Sequence, residues 1–563
     1  MDCECPQLRA KVIALEAEVK NLKEQLATLP RLSGNDSCGA VSNLATGATA
    51  GTTDGDRILL PTFPWLRPLE TTESSFLSSP WRLWEGLASD EPPPGITGSP
   101  EQPLSEDQGQ ELVDAFFLRR WPQYPILHRP TFMEQHYGPF SQGESYHTLS
   151  PFLVNIVLAI GASERSRTAT TCHVSHQSFF NAAIQSLEEV LRADDLACIQ
   201  CLLLLCMYGS NEPQSVNLWY TLGLALRLVI GINLHRQESV ATKSLLDAEM
   251  AKRIFWSAYN MDRSISIAMG RPLGVQDADI TTPLPLCLTD DMLSQRVEML
   301  SMNLVPDPKD MSTFLHIIRL RRITAEIYRT LHSAGDTNLT GEGLEAFRTQ
   351  QHDQLNQWLA SALRYLSPTS MNQTPEWCQI AYHQAIMNLY RPSHASPLAT
   401  LEAIRFCADS SISLITNYGA LYAKNKIIYS FVALTSLFMA AVTMLYSLRA
   451  SATLRTELTR DVVDSNVRMC ATLLRDISNG RAVGKRGAQI IQRLGDATLP
   501  LFDTELMPDA QIDTEFMSWF GLKSQHLAGA DTLGQTPSVD LPWSHLLDSG
   551  FELGEILCSD VLV

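Results

Sequence analysis

Apolar and charged positions alternate over residues 6–29 with a period of seven. Leu8, Leu15, Leu22 and Leu29 recur at that spacing, and Val12, Val19 and Leu26 fall four residues after the first three. Leu at heptad position d with mostly Val at a favours a parallel two-stranded coiled coil. The flanking charges agree with an in-register homodimer: Lys11 at g faces Glu16 at e of a partner, and Glu18 faces Lys23. Pro30 stops this helix. The alternative for 6–29 is a single amphipathic helix packed on its own domain. The dimerisation face is Leu8, Val12, Leu15, Val19, Leu22 and Leu26.

From about residue 108 the period shortens to that of an ordinary helix. Leu112, Ala115, Phe116 and Arg119 step along one face, ended by Trp121-Pro122. Leu218, Leu222, Ala225, Leu226 and Val229 share a face of 217–235. Ile254, Ala258, Met261, Ile265 and Ala268 do so in 249–269, where Glu249 and Arg253 stand four apart as a candidate ion pair and Gly270 and Pro272 close the helix. Further helical stretches are expected at about 313–333, 343–366, 376–391, 398–422, 427–449 and 455–478. No run of short alternating strands is visible, so the class is all-α, with a helical domain over 106–500.

Composition adds boundaries. Residues 31–105 are rich in Ser, Thr, Gly and Pro, as in GATAGTTDG and DEPPPGITGSP, and read as a linker. Residues 502–563 carry eleven acidic residues against one Lys and no Arg, and their end interleaves acids with apolar side chains. Trp543, Leu546, Leu547 and Phe551 lie near one helical face, which suits an acidic activation segment that folds into a coactivator groove. A helix docked on the chain's own core fits the same pattern. Residues 427–448 contain no charge and are long enough to span a bilayer. Flanked by helices on both sides, they read as a buried central helix, with no membrane partner.

The net charge of −18 repels phosphate backbones, so the bulk of the surface is not made for nucleic acid. Asp2 and Glu4 follow Met1 with no apolar stretch, which points to a reducing compartment. Enzyme motifs are near-misses. Gly480 to Arg486 approaches a phosphate loop, but its glycine spacing is one short and Arg486 stands where Ser or Thr would hold magnesium. A short basic turn between helices explains Arg481, Lys485, Arg486 and Arg493 as well. Cys198-x-x-Cys201 lacks a second pair and reads as core, like Cys206. His173 and His176 have no acidic ligand in the adjoining sequence and read as surface residues. No catalytic, cofactor-binding or metal residue is expected, and the chain is not expected to be an enzyme.

Two longer stretches carry a resemblance: WPQYPILHRPTF from Trp121, and FWSAYNMDRSISIAMGRPLGVQDADITTPLP from Phe255 to Pro285. With the WYTLGLALRLVIGINLHR helix between them, they resemble the regulatory middle domain of fungal-specific transcription factors, the binuclear zinc-cluster regulators. The residues that carry it are Pro125, His128, Arg129 and Pro130, then Trp256, Asp262-Arg263 and Gly270-Arg271-Pro272 before an acidic turn. Arg263 and Arg271 have Asp262, Asp277 and Asp279 nearby, so Arg–carboxylate bonds are expected to pin that turn.

The resemblance implies an all-helical regulatory domain, a nuclear location, coactivator partners, DNA contact and, in some members, a small-molecule effector. Zinc is expected only with a cluster, and Cys3-Glu4-Cys5 has the wrong spacing for one. Two expectations follow. One is a dimeric transcription factor for a fungal metabolic or biosynthetic gene set, with its cluster encoded upstream of this start. The other is a dimerising modulator that pairs with a zinc-cluster factor.

Overall fold

A computed structural model describes residues 105–522, apart from short stretches at 145, 167–174, 213–214, 295–306, 334–338, 340, 425, 428–429, 479–480 and 504–509. The leucine heptads at 6–29 and the Trp543–Phe551 face lie outside the described residues. Among the described residues there is no strand, and the class is all-α.

Among the described residues fourteen helices have ten residues or more: α1 Glu106–Arg119, α2 Ser150–Ser166, α3 His176–Gln185, α4 Asp195–Asn211, α5 Leu218–Gly231, α6 Leu245–Met269, α7 Ser312–Leu331, α8 Glu342–Ala360, α9 Pro375–Tyr390, α10 Leu401–Ala423, α11 Phe431–Ala450, α12 Arg460–Ile477, α13 Ala482–Thr498 and α14 Ala510–Trp519. Short helical turns join them. The chain chemistry sets the starts. Ser105 and Gln108 form a reciprocal capping box on α1, Ser244 caps α6, Thr374 caps α9 with Pro375 in its first turn, and Thr400 caps α10.

These caps explain where helices depart from the expected bounds. The α6 helix begins at Ser244, ahead of Glu249, because that serine accepts the Asp247 N–H. The α11 helix starts at Phe431 because Ser430 is its cap, and Thr459 delays α12 to Arg460. At its far end α6 stops at Gly270, whose φ of 65° is left-handed. The Gly270 N–H donates to Ile267 and the Arg271 N–H to Ser266, which satisfies two final carbonyls.

The apolar faces bury in three clusters. The first joins α1, α2, α4, α5 and α6. The second surrounds α11 and takes in α10, α12, α13 and α14. The third joins α7, α8, α9 and the start of α10. The α11 helix is the axis of the second cluster. It has the length and composition of a membrane span, yet 83% of its apolar window is buried inside the fold. Two of its hydroxyls are satisfied locally: Thr435 donates to the Phe431 carbonyl at 3.1 Å and Ser447 to that of Thr443 at 2.8 Å.

Packing does not stop near 500. Beyond the change in composition at Phe502, α14 lies on α11, with Phe516, Met517, Trp519, Phe520 and Leu522 buried. Arg449 at the end of α11 pairs with Asp513 at 2.6 Å. The first part of the acidic tail, up to Leu522, is thus packed on the core, while the Trp543–Phe551 face lies outside the described residues.

Candidate functional site

The two stretches that carry the resemblance meet along α6. The segment 271–290 runs back beside this helix, and buried polar groups fasten it. Arg263, fully buried, donates to Asp262 and Asp277 at 2.6 Å each and to the Val275 carbonyl at 2.5 Å. Its guanidinium lies 3.8 Å from the Tyr259 ring centre, and the Tyr259 hydroxyl donates to Asp277. Asp262 accepts from the Gly274 N–H and from Ser266. Burial pushes the Asp262 carboxyl up, and Arg263 with these donors opposes that. Burial also raises the Tyr259 phenol. One turn earlier, Trp256 donates its ring N–H to the Pro283 carbonyl at 3.0 Å.

At the other end of the strap, Asp290 gathers the first stretch. It takes Arg253 at 2.5 Å and the backbone N–H of Arg129 at 2.8 Å. The His128 ring meets its carbonyl at 3.1 Å and the Thr131 hydroxyl at 2.8 Å. The Arg129 side chain reaches Asp114 on α1, Pro125 is buried, and Pro130 sits in the first turn of a short helix, Arg129–Phe132.

Two expectations are corrected here. Glu249 and Arg253 do not pair: Glu249 takes Lys252 at 2.6 Å and the Leu286 N–H at 2.8 Å, while Arg253 turns to Asp290 at 2.5 Å. Arg271 does not join the carboxylates either. It lies over the Trp219 ring at 4.9 Å, and Pro272 and Asp279 are exposed.

These motif residues are spent on structure. Open space lies behind them, on the opposite side of Arg263. A cavity of about 110 Å³ sits between α4, α6, α7, α9, α10 and α11, lined by Arg120, Gln123, Met261, Arg321, Asn372 and Gln384 among others. A second, of about 40 Å³, adjoins it and shares Ile267, Ala268, Gln384 and Asn388 as walls, with Arg391 and Thr443 on its far side. No Asp or Glu lines either cavity.

Arg120 is balanced by Glu164 at 3.5 Å. Arg321 donates from Nε to Asn260 at 2.9 Å, and burial lowers its pKa. Burial brings Arg391 down to about 10, so it keeps its charge at neutral pH. No carboxylate is among the described groups that act on these two arginines. The Asn372 Nδ2, Arg391 Nε and Thr443 Oγ1 atoms are buried with no hydrogen-bond partner.

The remaining candidates resolve as structure. Cys198, Cys201 and Cys206 are buried on α4, and burial pushes their thiols up. His176 is half-buried, not a surface residue, with its ring against the Tyr208 hydroxyl at 3.0 Å; His173 lies outside the described residues. The basic stretch after Gly480 is the first turn of α13 and not an inter-helix turn. Arg481 caps it and binds the Asn211 carbonyl and Glu212, and a Cβ on Gly484 would stand 2.0 Å from Ser478 Oγ, so glycine there serves the α12–α13 approach. The described residues hold no group of three or more His, Cys, Asp or Glu placed to bind a metal ion.

Sequence reasoning missed Arg321, Arg391 and Asn372. Arg321 did leave a signal: Ile317, Ile318, Thr324, Ala325 and Tyr328, its neighbours three, four and seven residues away on α7, are all buried. A lone arginine inside that stripe points inward.

Comparison with known proteins places this architecture. Residues 113–360 match the fungal specific transcription factor domain. Protein STB5 of Saccharomyces cerevisiae is 24% identical over 425 residues, covering 69% of this chain and 54% of its own length. The pyrimidine pathway regulatory protein 1 of the same yeast is 28% identical over 301 residues, 52% of this chain and 33% of its own. The positive regulator of purine utilization of Emericella nidulans is 24% identical over 505 residues, 71% of this chain and 47% of its own. The chain thus spans about half or less of these relatives' length. Through residues 113–360, whose strap and α6 are built from the residues that carried the resemblance, the chain matches the fungal specific transcription factor domain, and it is similar to fungal transcriptional regulators.

Proposed function

We propose that the chain regulates transcription of a fungal metabolic or secondary-metabolite gene set from the nucleus, as a dimer held by the 6–29 heptads, with its helical domain as the regulatory part and not as an enzyme. The match of residues 113–360 to the fungal specific transcription factor domain carries this reading, supported by relatives named as pathway and utilization regulators. The second reading is a dimerising modulator that takes its DNA contact from a zinc-cluster partner. It is favoured by the net charge of −18, which repels phosphate backbones. Either way, coactivators are the partners expected for Trp543, Leu546, Leu547 and Phe551.

The test is a reporter driven by the full chain tethered to an unrelated DNA-binding domain. Output should change in its presence and return to background when those four residues become alanine. A tethered chain that leaves the reporter untouched would sink the reading. A binding assay on CGG-containing duplexes then separates the two forms: sequence-specific retention of this chain alone favours the first, and none favours the second.

A further inference from the structure

We propose that the adjoining cavities between α6, α7, α9 and α11 bind a small organic acid, with one or two carboxylates and on the order of six to eight non-hydrogen atoms, as an effector of the helical domain.

Charge balance is the first ground. The walls hold Arg120, Arg263, Arg321 and Arg391 and no acidic side chain. Glu164 balances the first, and Asp262 with Asp277 balance the second, from behind the wall. Nothing in the described fold does so for Arg321 or Arg391. A buried guanidinium is tolerated when an opposite charge or a set of acceptors meets it. An anion entering this space supplies both, on two planar forks suited to carboxylate oxygens.

Unused donors are the second ground. Buried polar atoms in native folds are nearly always hydrogen-bonded, and those that are not call for an explanation. Asn372 Nδ2 on the wall of the larger cavity and Arg391 Nε and Thr443 Oγ1 on the wall of the smaller have no partner. Two of the three can only donate. The amides of Gln384 and Asn388 stand on walls common to both cavities.

Shape and lining are the third. The volumes of about 110 and 40 Å³ admit a small molecule and exclude a nucleotide. Met261, Ile265, Ile380 and Val432 line the larger cavity, so the occupant has an apolar body as well as charge. The walls come from helices of all three apolar clusters: α6 from the first, α7 and α9 from the third, α11 from the second. A ligand bound there holds these clusters together and stabilises the arrangement by mass action, which is what an effector site requires.

The experiment titrates the purified full chain with malonate, succinate and the neutral succinamide, following melting temperature and heat of binding. One or both acids should stabilise the protein saturably, and succinamide should not. Arg321→Met and the isosteric Asn372→Asp, which places a carboxylate in the wall, should each weaken acid binding roughly tenfold or more, with unchanged far-UV circular dichroism. Should Arg321→Met fail to fold, Asn372→Asp carries the test. The proposal is overturned if neither acid binds saturably, if succinamide binds equally well, or if folded variants bind as the parent does. No DNA is present in this assay, so its outcome is independent of how the chain acts at promoters.

Discussion

Arg263 on α6 and Arg321 on α7 border the same cavity, and the fold treats them differently. Arg263 is enclosed by Asp262, Asp277, the Val275 carbonyl and the face of Tyr259. Arg321 has one bond, to the Asn260 amide oxygen. The residue type is the same, but Arg263 is fully buried and Arg321 half-buried, and what the chain supplies around each differs as well. The first arginine completes a strap whose bonds are all internal. The second leaves its charge facing open space. The motif legible in the sequence includes the first and passes over the second.

The largest effect expected from this contrast is the loss of Arg263. Arg263→Met strips the only guanidinium from Asp262 and leaves that carboxylate buried against the Gly274 N–H alone on the strap side. Breaking one side of a buried pair costs about 3–5 kcal/mol. Urea unfolding should show a stability loss of that size, with the fluorescence of Trp256, the α6 residue bonded to the strap at Pro283, changing first. A loss below about 1 kcal/mol would mean that the network is not what holds 271–290 to α6.

Much of this was legible before the structure. The 3.6-residue periodicity placed α5, α6, α9 and α10 closely, because each has an apolar face of regular spacing. Gly270 and the Asp262-Arg263 pair announced a turn pinned by ion pairs, and Arg263 does pin it. What escaped detection needed long-range information. Glu249 and Arg253 have the spacing of a helical pair, but each prefers a partner on the strap, thirty-seven residues away in both bonds. Asp290 gathers Arg129 and Arg253 from segments far apart in the chain, and no local pattern reveals that. The cavity was invisible for the same reason: its walls come from six helices, and a void has no sequence. The burial of α14 was hidden by composition, since its acidic residues gave the segment the look of the tail while Phe516, Met517 and Trp519 supplied a core face.

A second, smaller effect reads the burial beside the uncompensated charge by pH. His332 lies beside Arg391, buried, with its Nε2 against the Asn388 carbonyl at 2.6 Å. Burial first, and then Arg391, lower its pKa to about 3, with His394 and Arg348 adding to the fall and the Asn388 bond opposing it. His316, stacked on Trp358, is lowered to about 4 by burial and by Arg319. Both folded values lie below the ordinary 6.5, so the unfolded chain binds the protons first. Their contribution is complete above pH 6.5 and is lost as the pH falls from there towards 4. At pH 5 the loss is about 2 kcal/mol for each, taken as an upper figure. Stability measured from pH 7 to pH 5 should fall accordingly, and Arg391→Met should leave this window nearly unchanged, because burial is the first cause of the His332 shift and keeps its folded pKa low. A pH-independent midpoint over that range would refute the assignment of both rings as neutral and buried.

The smallest effect is the most discriminating. Arg321→Met removes a buried charge that has no carboxylate to lose, unlike Arg263→Met on the opposite wall. Two terms act on stability. Relieving an uncompensated guanidinium favours the folded state, because the desolvation cost disappears while methionine fills the same wall with apolar atoms. Against this, Asn260 Oδ1 loses its donor from Nε, which costs on the order of 1 kcal/mol. Ser264 lies within reach of that oxygen at 3.4 Å and softens the loss. The net change should stay within about 1 kcal/mol of zero and lean towards stabilisation. Urea unfolding of the two variants side by side reads the contrast directly. A loss of several kcal/mol for Arg321→Met, equal to that for Arg263→Met, would show that Arg321 is held by the fold as firmly as Arg263. The distinction between a compensated and a waiting arginine would then collapse.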